Sequence, residues 1–396
     1  MKIVFLAPFG IRPKGTLIAR MIPLAVELQE LGHEVAIIAP PYTNPEDSGK
    51  TETVRGVKLH NIRLVPAGKI AATPILTWRM FRAAMAERPD RVHLFKPKGF
   101  GGLAAMLHIV LLRLGGRLPP LFVDTDDWEG SGGMNALHEY SRMERLLFRF
   151  QERWLLPRAA GVTVASRTLQ TQAWGMGIAP KRTLYLPNGV DDLPPGDGIR
   201  IRVKLGIPAD APVVLLYTRF FEFDQGRLHL IFAELCRRVP GVCFLVVGKG
   251  RSGEEEQLAE AAKTLGFEQA LFMAGWAEQR DIPDYLAAGD VAIYPFADTL
   301  VNRAKCPAKL AEIMRAGVPV VADNVGQLAE YIKPGISGLL CSPDDWREMA
   351  DHVADLLRDS EKRRLLGENG RSCLLENFNW KDLTAKLNEF YMGERL

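Results

Sequence analysis

Short apolar, β-branched runs alternate with helix-length segments along this chain, in two successive series. That alternation is what most narrows the folds open to it. The first series is predicted to place strands at Lys2–Ala7, Glu34–Ala39, Arg91–Phe95, Leu121–Val123, Gly161–Ala165 and Thr183–Leu186, with a short hairpin near Val57. The second is predicted at Val213–Tyr217, Cys243–Val247, Ala270–Met273, Val291–Tyr294, Val318–Ala322 and Gly338–Leu340. Repeated βα units build parallel sheets covered on both faces. Between the series, Asp192–Gly198 is rich in Pro and Gly and reads as a boundary. At 396 residues, with 47% hydrophobic and 24% charged side chains, the chain has material for two ordinary domains.

Three function classes are disfavoured by composition. The five cysteines are scattered without a CxxC pair, which suggests neither a disulfide framework nor a zinc site and fits a reducing cytoplasm. The longest apolar run, Leu103–Leu112, contains His108 and stops at Arg113, too short to cross a bilayer. MKIVFLAPFG is interrupted by Pro8 and Gly10 too early for a signal peptide and reads as a strand entering a loop. The loop Phe9–Gly15 leads to a helix opened by Thr16, running to about Leu31 with a kink at Pro23. Gly10 and Gly15 do not form the GxGxxG dinucleotide pattern, which argues against NAD.

The segment 302–322, NRAKCPAKLAEIMRAGVPVVA, carries the densest chemistry. Cys306 is expected to cap a helix, with Pro307 at its first position and Gly317 at its end. Lys309 and Glu312 share a face, while Leu310, Ile313 and Met314 turn inward. Lys305 and Lys309 at a helix start suggest a seat for an anion between them, and Glu312 one turn on suits ribose hydroxyls. Elsewhere, Asp124-Thr-Asp-Asp at the end of a strand is an acidic cluster where open α/β sheets bind ligands. Lys96-Pro-Lys-Gly-Phe-Gly-Gly reads as a basic, flexible loop. Further helices are expected at Ile75–Ala86, Leu103–Leu114 and Asn135–Leu156, the last with Leu146, Leu147, Phe150 and Trp154 on one side.

The pattern Glu312-x4-Gly317-x-Pro319-Val320-Val321 resembles the donor-site signature of the group 1 (family 4) glycosyltransferases. The strand–glycine loop–helix–GHEV opening and Asn188-Gly-Val-Asp191 are similar to that family as well, so most of the chain takes part. The resemblance implies the GT-B fold: α/β, two facing Rossmann-like domains with parallel sheets covered by helices, and a C-terminal helix crossing back. The expected boundaries are 1–192 for the acceptor side, 193–378 for nucleotide-sugar binding, and 379–396 for the returning helix. It implies a retaining hexosyltransferase acting on a hydroxyl acceptor, lipid-linked or part of a cell-envelope glycan. The donor is a UDP- or GDP-linked sugar, with no cofactor and no metal. Front-face attack, with the departing phosphate as base, is the expected mechanism. Asp126, Arg219 and Lys309 are the expected catalytic residues, Asp126 orienting the acceptor hydroxyl. Gly15, Asn188, Arg219, Gly248, Lys305, Lys309 and Glu312 are expected to bind the donor.

Two positions depart from the family. Asp224-Gln225-Gly226 lacks the usual lysine, with Arg227 as a substitute cation, and Ala304 stands where a glutamate is usual. A non-catalytic sugar-nucleotide binder or scaffold, and a sugar-nucleotide epimerase, are the alternatives. Asp124-Thr-Asp126 spells the DxD metal motif of the other glycosyltransferase fold, on a three-residue match only. Charge is uneven: residues 1–190 hold 25 Lys and Arg against 15 Asp and Glu (+10), and residues 191–396 hold 25 against 32 (−7). Between Lys69 and Arg117 nine basic residues face two acidic ones, with Trp78, Met80 and Phe81 expected to form an apolar edge. This suggests a peripheral contact with an anionic membrane on the cytoplasmic side, and no nucleic-acid partner.

Overall fold

The computed structural model describes residues 1–12 and 15–393. Pro13 and Lys14 of the expected glycine loop, and Glu394–Leu396 of the last expected segment, lie outside the described residues. The chain divides into two compact units: Met1–Gly189 with Ala304–Cys306 and Trp380–Leu396, and Val190–Arg303 with Pro307–Asn379.

The first unit is built on an eight-stranded sheet. Its strands are β1 Lys2–Leu6, β2 Glu34–Ala39, β3 Thr51–Val54, β4 Val57–Asn61, β5 Arg91–Phe95, β6 Leu121–Thr125, β7 Gly161–Val164 and β8 Thr183–Tyr185. They lie in the order β3-β4-β2-β1-β5-β6-β7-β8. All neighbours are parallel except the β3–β4 hairpin. The second unit orders β9 Val213–Tyr217, β10 Cys243–Val247, β11 Leu271–Gly275, β12 Val291–Tyr294, β13 Val320–Asp323 and β14 Leu339–Cys341 as β11-β10-β9-β12-β13-β14. Every pair is parallel. The central strands are buried along their whole length, as continuous apolar runs in doubly covered sheets must be.

In each sheet the chain winds first to one side and then to the other. The reversal falls between β1 and β5 in the first unit and between β9 and β12 in the second. Loops leaving the carboxyl ends of these strands diverge there and leave a crevice. Ile3, Phe5, Leu17, Met21, Leu24 and Leu28 pack on one face of the first sheet, together with Trp380, Leu387 and Phe390 of the final helix, Trp380–Met392. Tyr391 reaches further in, its hydroxyl 2.5 Å from His93 Nδ1 in the sheet's interior.

Several helices differ from expectation. Pro23 lies in the first turn of its helix. The residues before it, Leu17–Met21, form a π-helical turn continuing into Ile22–Glu30. The wider i→i−5 bonding, Ile22 N to Leu17 O, relieves the clash a proline ring makes with the turn before it. The helix expected from Ile75 begins at Lys69 and carries Pro74 inside. Lys96–Gly102 is not a flexible loop: a helix starts at Gly99 and runs to Arg113, and both lysines are buried. The helix expected over Asn135–Leu156 splits into Met134–Leu137 and Arg142–Leu155. The break is set by a capping box, Ser141 accepting from Glu144 N while Glu144 accepts from Ser141 N.

Candidate active site

In the second unit, the reversal between β9 and β12 gathers the residues expected to bind the donor. β9 ends at Tyr217, and Thr218, Arg219 and Phe220 turn away from it; Phe220 sits at φ 67° and is wholly buried. The helix that presents Lys309 and Glu312 is Ala308–Arg315, capped by Pro307 without a side-chain bond. Cys306 is therefore not its cap. Its carbonyl and Sγ instead accept from Asn188, Nδ2 to O at 2.7 Å and backbone N to Sγ at 3.1 Å. At the other end Gly317, at φ 76°, donates to Met314 O and Val318 donates to Ile313 O, closing the last turn in left-handed geometry.

Lys309 Nζ lies 3.7 Å above the Tyr217 ring and 3.2 Å from Thr218 O. The ring's negative face and a carbonyl fix a cation there by electrostatics. One turn on, Glu312 hydrogen-bonds Tyr217 and takes a long contact, 3.4 Å, from Gln279 Nε2. Burial, then the Glu312 charge, raise the Tyr217 phenol far above its usual range, so it stays a donor to Glu312. Thr218, Glu222, Tyr294, Phe296 and Lys309 line a small hollow beside these groups.

Gly248 follows β10 at φ 128° and donates to Gly275 O. A Cβ there would lie 1.9 Å from Thr218 O, the carbonyl that holds Lys309. We expect Gly248→Ala to lower both melting temperature and nucleotide affinity, measured by thermal shift with and without nucleoside diphosphate; wild-type values in both would refute this account of the turn. Past Gly275, Trp276 is exposed rather than packed. Arg227, by contrast, does not replace the missing lysine. Its two Nη atoms bind Asp323 at 2.6 and 2.7 Å, and Asp323 also accepts from Phe296 N. Gln225 Nε2 is held by Phe220 O at 2.7 Å.

The corresponding crevice of the first unit holds a buried charge network. Arg20 spans it: Nε and Nη2 bind the two oxygens of Asp124 at 2.9 and 2.6 Å, Nη1 binds Asn188 Oδ1 at 3.1 Å, and Nη2 binds Leu186 O at 2.7 Å. Thr163 Oγ1 adds a 2.5 Å bond to Asp124. Asp124 is thus held on both oxygens by Arg20 and Thr163. Asp126 accepts from Thr16 Oγ1 at 3.0 Å and faces Lys96 Nζ at 3.1 Å, while Lys96 also pairs with Asp127. Burial, against the pull of Lys96, raises the Asp126 carboxyl above the usual carboxylate range. Lys96, Lys98 and the nearby Lys305 outweigh burial at Asp127 and lower it. Lys305 precedes the Ala308–Arg315 helix in sequence, and its charge is among those that lower Asp127. Gly15 accepts from Ala19 N at the start of the helical segment.

Deeper, Lys98 binds Glu129 at 2.6 Å, and Glu129 N donates to Glu152 on the Arg142–Leu155 helix. Burial beside Glu129 pushes Glu152 up to about 8. A carboxyl raised on folding takes up a proton on folding between pH 4.5 and 8, so its contribution is present below that window and lost as pH rises through 8. Stability is expected to fall from pH 5 to 8, and Glu152→Gln to flatten that fall in urea titrations; an unchanged slope would show the proton sits elsewhere. Arg20, Lys96, Glu129 and Glu152 escaped sequence reasoning. The visible sign was Arg20, a lone charge in the apolar run LIARMI.

Residues 198–373 match the model described as glycosyl transferases group 1, and residues 17–189 match the glycosyl transferase 4-like domain. A 2-deoxystreptamine glucosyltransferase of Streptomyces kanamyceticus is 29% identical over 246 residues, 60% of this chain and 61% of the relative. A GDP-mannose-dependent alpha-(1-6)-phosphatidylinositol monomannoside mannosyltransferase of Mycolicibacterium smegmatis is 29% identical over 242 residues, 59% of this chain and 62% of the relative. The chain thus spans about six-tenths of the length of these curated relatives. Among solved structures, sucrose-phosphate synthase from Thermosynechococcus elongatus is similar with TM-score 0.75 and 20% identity, covering 99% of this chain and 98% of that one. HepE of Anabaena, solved with UDP and glucose, gives 0.74 and 22%, covering 98% of each. The fold is GT-B, and the chain belongs to the group 1 glycosyltransferases.

Proposed function

We propose that the protein transfers a hexose from a UDP- or GDP-linked donor to a hydroxyl acceptor, with retention of configuration and without a metal ion. The observation that carries this is the fixed cation at the β9–β12 reversal: Lys309 is held by the Tyr217 ring and Thr218 O, with Arg219 in the adjoining loop. In the transfer, the bond between the sugar C1 and the diphosphate oxygen breaks, and a bond from C1 to the acceptor oxygen forms. The acceptor's proton passes to the departing phosphate. New negative charge on that phosphate is what a preorganised lysine and arginine stabilise. Glu312, fixed by Tyr217, is suited to accept hydrogen bonds from ribose hydroxyls.

Asp126, with its raised carboxyl and its bonds to Thr16 and Lys96, is the first unit's acidic group for orienting an acceptor. The Asn188 amide holds Arg20 and the Cys306 carbonyl. The acceptor we favour is lipid-linked, met at an anionic cytoplasmic membrane surface. No helix among the described residues is long and apolar enough to cross a membrane.

Gln225 favours a second reading. Its amide is spent on Phe220 O where the family places a cation, which fits a protein that binds a sugar nucleotide without turning it over. Release of nucleoside diphosphate from UDP-, GDP- and ADP-sugars separates the two. Transfer predicts release that survives EDTA and accelerates with acceptor. Release abolished by EDTA and restored by Mn²⁺ would return the DxD residues to consideration, and binding without release would favour the binder.

A further inference from the structure

The apolar edge expected of Trp78, Met80 and Phe81 does not form. On the Lys69–Ala86 helix, Met80 and Phe81 are core residues, and Arg79 is spent on the carbonyls of Arg63 and Leu64. Trp78 alone of the three aromatic and sulfur side chains stays exposed.

The Arg142–Leu155 helix is arranged the other way. Its buried side carries Gln151 and Glu152, 0% and 1% exposed, beside Leu155. Three of its apolar residues point outward, Met143, Leu146 and Phe150 being 76%, 61% and 52% exposed. Met143, Leu147, Phe150 and Trp154 follow at steps of four, three and four, so they form one stripe, in which Leu147 and Trp154 are half-buried and Trp154 also packs on the core. Arg142, Arg145, Arg149 and Arg153 are exposed, and at 100° per residue they lie along one flank of that stripe. Of the two acids on the helix, Glu144 takes part in the capping box with Ser141 and Glu152 is buried. Leu146, Arg149, Phe150, Arg153, Trp154 and Arg158 line a shallow groove of ≈ 370 Å³. Arg158 stacks 4.7 Å over the Trp154 ring.

We propose that this stripe and its arginine flank form the surface by which the protein sits on an anionic bilayer, with lipid phosphates against the guanidiniums of the groove and the apolar side chains in the interface. An exposed apolar stripe beside charges of a single sign is the arrangement of an interfacial helix. Charge also argues against a second copy of the chain: a contact through this stripe would bring two sets of like charges together. The inference deepens the transfer reading by naming where a lipid-borne acceptor meets the protein, and it rests on that reading only for the acceptor.

The test is flotation of the full chain with phosphatidylcholine vesicles, with and without phosphatidylglycerol, at low and high salt. Binding is expected only with phosphatidylglycerol and should weaken as salt rises. Arg149→Glu with Arg153→Glu, and separately Phe150→Ser, should each lower partitioning about tenfold, while Arg82→Glu should change it little. All four positions are exposed, and Leu146→Gln is a second apolar change should Phe150→Ser melt. Wild-type protein that ignores phosphatidylglycerol at low salt overturns the proposal, as does binding that these variants leave intact. A dimer in sedimentation velocity that Phe150→Ser dissociates would give the face to a second copy and overturn it equally. Donor hydrolysis without vesicles should be the same in all variants. Its absence from the wild type would defeat the transfer reading while leaving the vesicle result standing.

Discussion

Lys309→Ala is expected to lower turnover by roughly 10²–10³-fold, the scale for removing one preorganised electrostatic donor from a developing anion. The structure explains why the loss should not be recovered. Nζ is positioned by Tyr217 and Thr218 O, groups that would remain while the charge is gone. Arg219→Ala should cost a similar factor. Glu312→Ala should instead raise the donor KM more than it lowers kcat, because ribose contacts are alike in ground and transition states. Steady-state kinetics with saturating acceptor separates these patterns. Full activity in Lys309→Ala would remove the phosphate role from this helix.

Arg20→Ala is expected to be the most destabilising single change in the first unit. It leaves Asp124 buried with its chief cation gone, and breaking one side of a buried pair costs about 3–5 kcal/mol. It also strips a donor from Asn188 Oδ1 and Leu186 O. For a unit of this size each kcal/mol moves the melting temperature by roughly 2–4 °C, so a drop of roughly ten degrees is expected. Urea unfolding measures it directly. The double variant Arg20→Ala, Asp124→Ala should recover part of the loss, since the stranded charge goes with its partner. A wild-type midpoint in Arg20→Ala would mean that the pair contributes nothing.

The strands were legible in the sequence because buried parallel strands must be apolar throughout. Glu34–Ala39, Arg91–Phe95, Val213–Tyr217, Cys243–Val247 and Val291–Tyr294 fall where alternation placed them. Helix ends were less legible, since they depend on bonds between distant groups. Cys306 reads as a helix cap from its neighbours, yet its carbonyl and sulfur are engaged by Asn188, 118 positions away in sequence. Lys96 and Lys98 read as a solvated loop because lysines usually are. Only the fold shows that Asp127 and Glu129, carried in on β6's loop, meet them. Arg227 reads as a spare cation until β13 brings Asp323 beside it. Conversely, Lys309 and Glu312 were legible because both lie on one short helix, where spacing alone decides that they share a face. The outward apolar stripe of Arg142–Leu155 was visible as periodicity, but periodicity does not say which side faces the core.

Proton NMR of a sugar nucleotide incubated with the protein and an acceptor tests the central claim most directly. The account predicts that the donor's anomeric signal decays while nucleoside diphosphate and a new glycoside rise in equal amount, the glycoside keeping the donor's anomeric configuration. A donor that binds but stays unchanged would contradict it, as would a product whose sugar is altered yet still joined to the nucleotide.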